Sequence, residues 1–209
     1  MPSSKEILLG LARIATDATA VSIGWHVALA ATAAALSLGW RPEKRHAAAA
    51  LSAPLASVAI VAFAFGNPFN GAAFSLLAAA LAVLASRSRP GAVELRADWS
   101  AVLGSILIVF GAVYPHFLGD ASWFTYLYAA PLGAIPCPTL SVVIGAALIA
   151  GGFQLGWWRL ALGLAGCFYA IFGVVRLGVT LDVFLLCGAL GLLVQYGADR
   201  SMPMHRRVA

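Results

Sequence analysis

The chain has 209 residues, 62% of them hydrophobic and only 10% charged, with a formal net charge of +5. Soluble domains carry about 25% charged residues, so this composition excludes a chain that covers itself with polar surface. The basic residues lie between apolar runs rather than in one patch, which excludes nucleic acid as a partner and leaves the lipid bilayer.

Several uncharged runs reach the roughly 20 residues that a helix needs to cross a hydrocarbon core. The expected fold is therefore all-α: a polytopic transmembrane helical bundle of about seven spans, preceded by a short amphipathic helix. That first helix is read from residues 3–16, SSKEILLGLARIAT, where Ile7, Leu8, Leu11 and Ile14 share a face and Ser3 or Ser4 can cap. It is too short to span, so residues 1–18 are expected to lie in the membrane interface. Glu6 and Arg13 interrupt any signal-peptide core, so the segment is expected to be retained.

The transmembrane region is expected over 19–197. The first span runs from Thr19 to Trp40 and stops at RPEKRH; the second covers His46 to Phe65 and turns at GNPFNG. A third span runs from Pro68 or Phe69 to Ala85, and a fourth from Trp99 to about Leu118. After an aromatic segment the fifth starts at Pro136, a residue suited to a first helical turn, and ends near Phe153. The sixth covers Trp157–Val175 and the seventh Val179–Tyr196. Residues 198–209 form a basic tail.

Orientation follows from Lys and Arg. The end holding the first, third and fifth connections and the C-terminus carries ten, and the other end carries three. The positive-inside rule then puts the C-terminus in the cytoplasm and the N-terminus outside, in a bacterial inner membrane. Were Lys5 and Arg13 to hold the first helix on the cytoplasmic surface, six spans would be needed. Trp25, Trp40, Trp99, Trp123, Trp157 and Trp158 fall near the ends of spans, as an aromatic belt requires.

Ionisable groups inside a bilayer are costly and few here. His26 could be a haem ligand, a proton relay or a partner for a polar ligand; the simpler reading is a neutral imidazole bonded to a neighbouring helix. Tyr114, His116 and Asp120 could converge, since His116 and Asp120 are four apart. A carboxylate beside the imidazole would raise its pKa and fix one tautomer. The alternative is an interfacial His and an exposed Asp at a helix end. Cys137, between two prolines at a helix N-terminus, is placed for thiolate character and could join His116 in a soft metal site, although no CxxC or HxxxH completes one. Its plainer role is a small buried residue where the helix begins. Three cysteines in such positions do not make a disulfide framework.

No phosphate-binding glycine loop, HExxH or GxSxG is present, and the seventh span has no Lys for a Schiff base. Catalysis is thus the least supported class, and no cofactor is fixed.

NPFNGAAFSLL, the YPHF segment and APLGAIPCPTLSVVIGAALIAGG together resemble an uncharacterised family of small bacterial multi-spanning membrane proteins with an FNG turn, a later YP, and an APCPTT-like stretch opening a helix. The resemblance covers most of residues 60–155, departs at Leu140 where the pattern has a second Thr, and marks Asn67, Asn70, Tyr114, Cys137 and Thr139. It implies a polytopic inner-membrane protein and no substrate.

The first functional expectation is a membrane protein that binds or conducts a small solute or ion at a pocket open to the extracytoplasmic side. Two alternatives stand beside it. One is an accessory subunit of a larger, possibly redox, membrane complex, or a homo-oligomer; the other is a haem- or quinone-binding protein using His26 and His116.

Overall fold

A computed structural model describes residues 3–118 and 122–201, which are helical throughout apart from turns and connections. The first helix, α1 (Ser4–Asp17), opens with a capping box: the Ser3 hydroxyl accepts from the Glu6 amide, and the Glu6 carboxylate accepts from the Ser3 amide at 2.6 Å. These bonds hold the Glu6 carboxyl below its usual pKa, the Ser3 amide contributing most. Its buried face, Leu11, Ile14 and Ala15, packs on Val61, Leu118 and Ile135.

The apolar helices follow as α2 (Thr19–Ser37), α3 (Lys44–Ala50) with α4 (Ser52–Ala64), α5 (Pro68–Ala85), α6 (Trp99–Val113), α8 (Pro136–Ile149), α9 (Gly156–Ile171) and α10 (Val183–Ser201); α7 (Tyr126–Ala129) is a single turn. Five apolar segments are long enough to cross a membrane: Thr19–Ser37, Lys44–Ala64, Pro68–Ala85, Gly156–Arg176 and Thr180–Ala198. Trp99–Val113 and Pro136–Ile149 are equally apolar but shorter.

Helix boundaries depart from the sequence expectation where the backbone loses a donor. The second apolar segment breaks at Leu51, because Pro54 offers no N–H to the carbonyl of Ala50. The fourth stops at Val113 instead of Leu118, since Pro115 forces Tyr114 out of the helical region (ψ 99°). The fifth stops at Ile149, where residues 151–154 all take left-handed conformations, including Phe153 (φ 54°) and Gln154 (φ 60°). The sixth runs on through a π-helical turn, Phe172–Arg176, and α10 is entered through a 3₁₀ turn, Thr180–Asp182.

The centre of the bundle is α8, with all but three of its 14 residues buried. It lies tightly against α6 because both surfaces are pared to glycine. A Cβ on Gly104 would stand 2.5 Å from the Gly145 carbonyl oxygen, and one on Gly111 2.6 Å from that of Pro138.

The connections segregate to two ends. At one, the Lys44 amide donates to Gly91, the Val93 amide to Pro42 and the Arg96 amide to Ile149, each at 2.8 Å. The first, third and fifth connections therefore meet, bringing Lys44, Arg96 and their neighbouring cations together. At the other end the second, fourth and sixth connections gather beneath α1 around one cavity.

Candidate functional site

The cavity measures about 710 Å³ and is roofed on one side by α1 through Ile7, Gly10 and Leu11. Its walls are mostly apolar, with Phe65, Phe69, Ile135, Phe172 and Val179 prominent. Ser4 anchors the roof: its hydroxyl donates to the Arg176 carbonyl at 2.8 Å and accepts from the Arg176 guanidinium at 2.6 Å.

At the base lies Asp182, 1% exposed. Its two oxygens accept separate hydrogen bonds, from the Tyr114 hydroxyl at 2.7 Å and from the Cys137 thiol at 3.2 Å. Three elements thus converge: the end of α6, the start of α8 and the 3₁₀ turn that enters α10. The π turn makes room for the carboxylate. Gly173 lies against Asp182 Oδ2 so closely that any Cβ there would collide with it, and the Gly173 carbonyl accepts from the Val179 amide at 2.9 Å.

A second polar contact sits on another wall, where the Tyr169 hydroxyl donates to Asn70 Oδ1 at 3.0 Å. Asn67 also lines the cavity, but its side-chain oxygen caps α5 by accepting from the Asn70 amide at 3.1 Å. Phe117 completes the lining with a left-handed backbone (φ 78°), a conformation that costs a bulky residue of order 1–3 kcal/mol.

The start of α8 is held from outside the cavity. The Thr139 hydroxyl accepts from the Gly133 amide at 2.8 Å and donates to the Ile135 carbonyl at 2.7 Å. The Gly133 carbonyl accepts from Ser57, whose oxygen accepts from the Trp25 indole. This chain of bonds fixes the Pro131–Pro136 turn, and through it the position of Cys137.

No family model, curated protein or solved structure matches this chain. The site is therefore read from its own geometry.

Of the residues singled out from sequence, Asn67, Asn70 and Cys137 line the cavity, and Tyr114 reaches Asp182 from a fully buried position. Cys137 is engaged as a thiol donor beside a carboxylate, not as the thiolate that its place at a helix N-terminus suggested. Thr139 is a structural tie. His116 is not part of the lining; its ring packs on Phe117 at 4.2 Å, and burial lowers its pKa. Asp120 lies outside the described residues. Both ring nitrogens of His26 face carbonyl oxygens, Nδ1 that of Ser22 at 2.8 Å and Nε2 that of Ala112 at 2.7 Å. The Ala112 carbonyl belongs to the last turn of α6, so this contact serves a helix end. Among the described residues no three His, Cys, Asp or Glu side chains gather as a metal site.

Asp182 is the residue that sequence reading missed. The signal was present, because the acid directly precedes the uncharged run VFLLCGALGLLVQY, but RLGVTLD reads as a lead-in loop. Tyr169 and Gly173 sit inside an apolar run and gave no such signal.

Proposed function

We infer that this chain is an integral membrane protein, of a bacterial inner membrane, that binds a small solute in the cavity beneath α1 from the extracytoplasmic side. The observation that carries the reading is the cavity itself: an apolar chamber of about 710 Å³ with a buried polar base at Asp182, the size and character of a small-molecule site.

The segregated ends support the membrane arrangement. All seven apolar helices cross, the cation-rich end faces the cytoplasm, and α1 lies in the outer interface. At 15 and 14 residues, α6 and α8 are about 22 Å long, short of a hydrocarbon core of roughly 30 Å. α8 is enclosed by other helices, whereas α6 packs one face on α8 and leaves Val102, Ile106 and Val109 exposed to lipid, where a short span is accommodated by local thinning of the bilayer. The motif resemblance to uncharacterised multi-spanning proteins agrees with this placement.

Gly10 supplies the test. It lines the cavity, and a Cβ there meets nothing within 4 Å, so a larger side chain can be placed at the cavity edge without straining α1. The full chain in lipid nanodiscs is expected to bind benzyl alcohol in calorimetric titration, and Gly10→Phe to lose that binding. Equal binding by both proteins would move the site elsewhere.

A second reading, an accessory subunit or a homo-oligomer, is favoured by α2, of whose residues only Ser22 is buried. Co-purification of a stoichiometric partner, or a dimer mass, in mild detergent would support it; a monodisperse single chain would count against it.

A further inference from the structure

Among the described residues the Asp182 carboxyl has no ion-pair partner. Both carboxylate oxygens accept from neutral donors, Tyr114 and Cys137. Two neutral hydrogen bonds do not offset the cost of taking a carboxylate out of water. Each oxygen accepts one of the two hydrogen bonds its lone pairs allow, and Asp182, although 1% exposed, borders the cavity.

The rest of the chamber is suited to the opposite sign of charge. Pro136 and Pro138 delete two of the first amides of α8, so the helix start facing the cavity is a poor anion site. Glu6 places a second carboxylate at the α1 edge. Arg176, the lining residue of opposite charge, is turned to the Ser4 hydroxyl that holds the roof. The volume is far larger than a bare metal ion needs, and the walls are apolar.

We propose that the cavity takes a small organic cation, a primary ammonium group on an apolar body, with the ammonium bound to Asp182 and the body against the Phe and Ile walls. This identifies the ligand class for the solute-binding reading above and rests on it. Each remaining carboxylate lone pair accepts one ammonium N–H, and the charge-assisted bonds replace the hydration that the ammonium leaves behind.

Benzylamine and benzyl alcohol, matched in size and differing in charge, separate the two claims. Titrated at about pH 7, where the amine is cationic, into the full chain in nanodiscs, benzylamine is expected to bind about tenfold or more tightly than the alcohol. Asp182→Asn keeps one acceptor oxygen, enough for the Tyr114 hydroxyl, and turns an amide N–H toward the Cys137 sulfur; it is expected to bring the amine to the alcohol's affinity while leaving the alcohol unchanged. Equal affinities in the unaltered protein, or a preference that survives in Asp182→Asn, would overturn the cation assignment and leave the solute pocket standing. Binding of neither probe would overturn both. Should Asp182→Asn not fold, the ratio in the unaltered protein decides alone, and Asp182→Glu, which keeps the charge, is expected to retain the preference.

Discussion

Tyr114 and Asp182, 68 residues apart in the chain, meet through a 2.7 Å hydrogen bond inside the bundle. The bond ties the end of α6 to the entrance of α10 at the base of the cavity. Tyr114→Phe removes the donor and leaves a buried carboxylate oxygen without it. A loss of about 1–3 kcal/mol in stability is expected. Thermal unfolding in detergent measures this, with Cys137→Ser, which keeps a donor, as the milder companion. A Phe variant as stable as the parent would remove the bond from the account.

The glycine contact between α6 and α8 gives a packing prediction. Gly104→Val would push a branched side chain against the Gly145 carbonyl, which stands 2.5 Å from even a first carbon, and is expected to cost about 1–3 kcal/mol. Gly24 of α2 has open space at the same test, so Gly24→Ala is expected to be neutral or to gain up to about 1 kcal/mol from helix propensity. The opposite order of unfolding temperatures would mean that α6 and α8 do not approach as described.

Local signals explain what was legible in the sequence. A serine cap at Ser3 or Ser4, a helix start at Pro68 or Phe69 and Pro136 in a first helical turn are local signals, and helices begin at Ser4, Pro68 and Pro136. Helix ends were harder, because the breaks at Leu51 and Val113 are set by prolines further along, and the end of α8 by a run of left-handed residues. Cys137 and Asn70 could be singled out by composition. Their partners could not, since Cys137 meets Asp182 across 45 residues and Asn70 meets Tyr169 across 99. Which helices share a face of the cavity is decided by packing, and no local pattern records it.

Thr139 offers a test of how the start of α8 is held. Thr139→Val has nearly the same shape but cannot accept from the Gly133 amide, which would be left buried without a partner. A loss of about 1–3 kcal/mol is expected, with Thr139→Ser close to the parent. Benzyl alcohol binding should weaken in the Val variant as the turn before Cys137 loosens. Identical behaviour of the Val and Ser variants would contradict the tie.

Acid sensitivity should originate at the ends of the bundle. The Arg96 guanidinium, then the Ser100 hydroxyl, hold the Asp98 carboxyl well below the usual carboxylate range, with Arg96 Nε at 2.8 Å. A carboxyl depressed in the folded state contributes stability above its unfolded value, near pH 4, and that contribution fades as pH falls toward the folded value. Glu6 acts in the same direction at α1. Unfolding temperature is therefore expected to drop below about pH 4, and the drop to be smaller in Asp98→Asn. An unchanged profile in that variant would assign the sensitivity to other groups.

The central claim is that the cavity under α1 opens on the extracytoplasmic side. Ser122, on the exposed fourth connection, and Glu94, on the exposed third, mark the two ends. Each is replaced by Cys in a background of Cys137→Ser, Cys167→Ala and Cys187→Ala, and spheroplasts are treated with a membrane-impermeant maleimide. Ser122→Cys is expected to react in intact spheroplasts, and Glu94→Cys only after lysis. Reaction of Glu94→Cys in intact spheroplasts, with Ser122→Cys silent until lysis, would turn the cavity toward the cytoplasm and contradict the account.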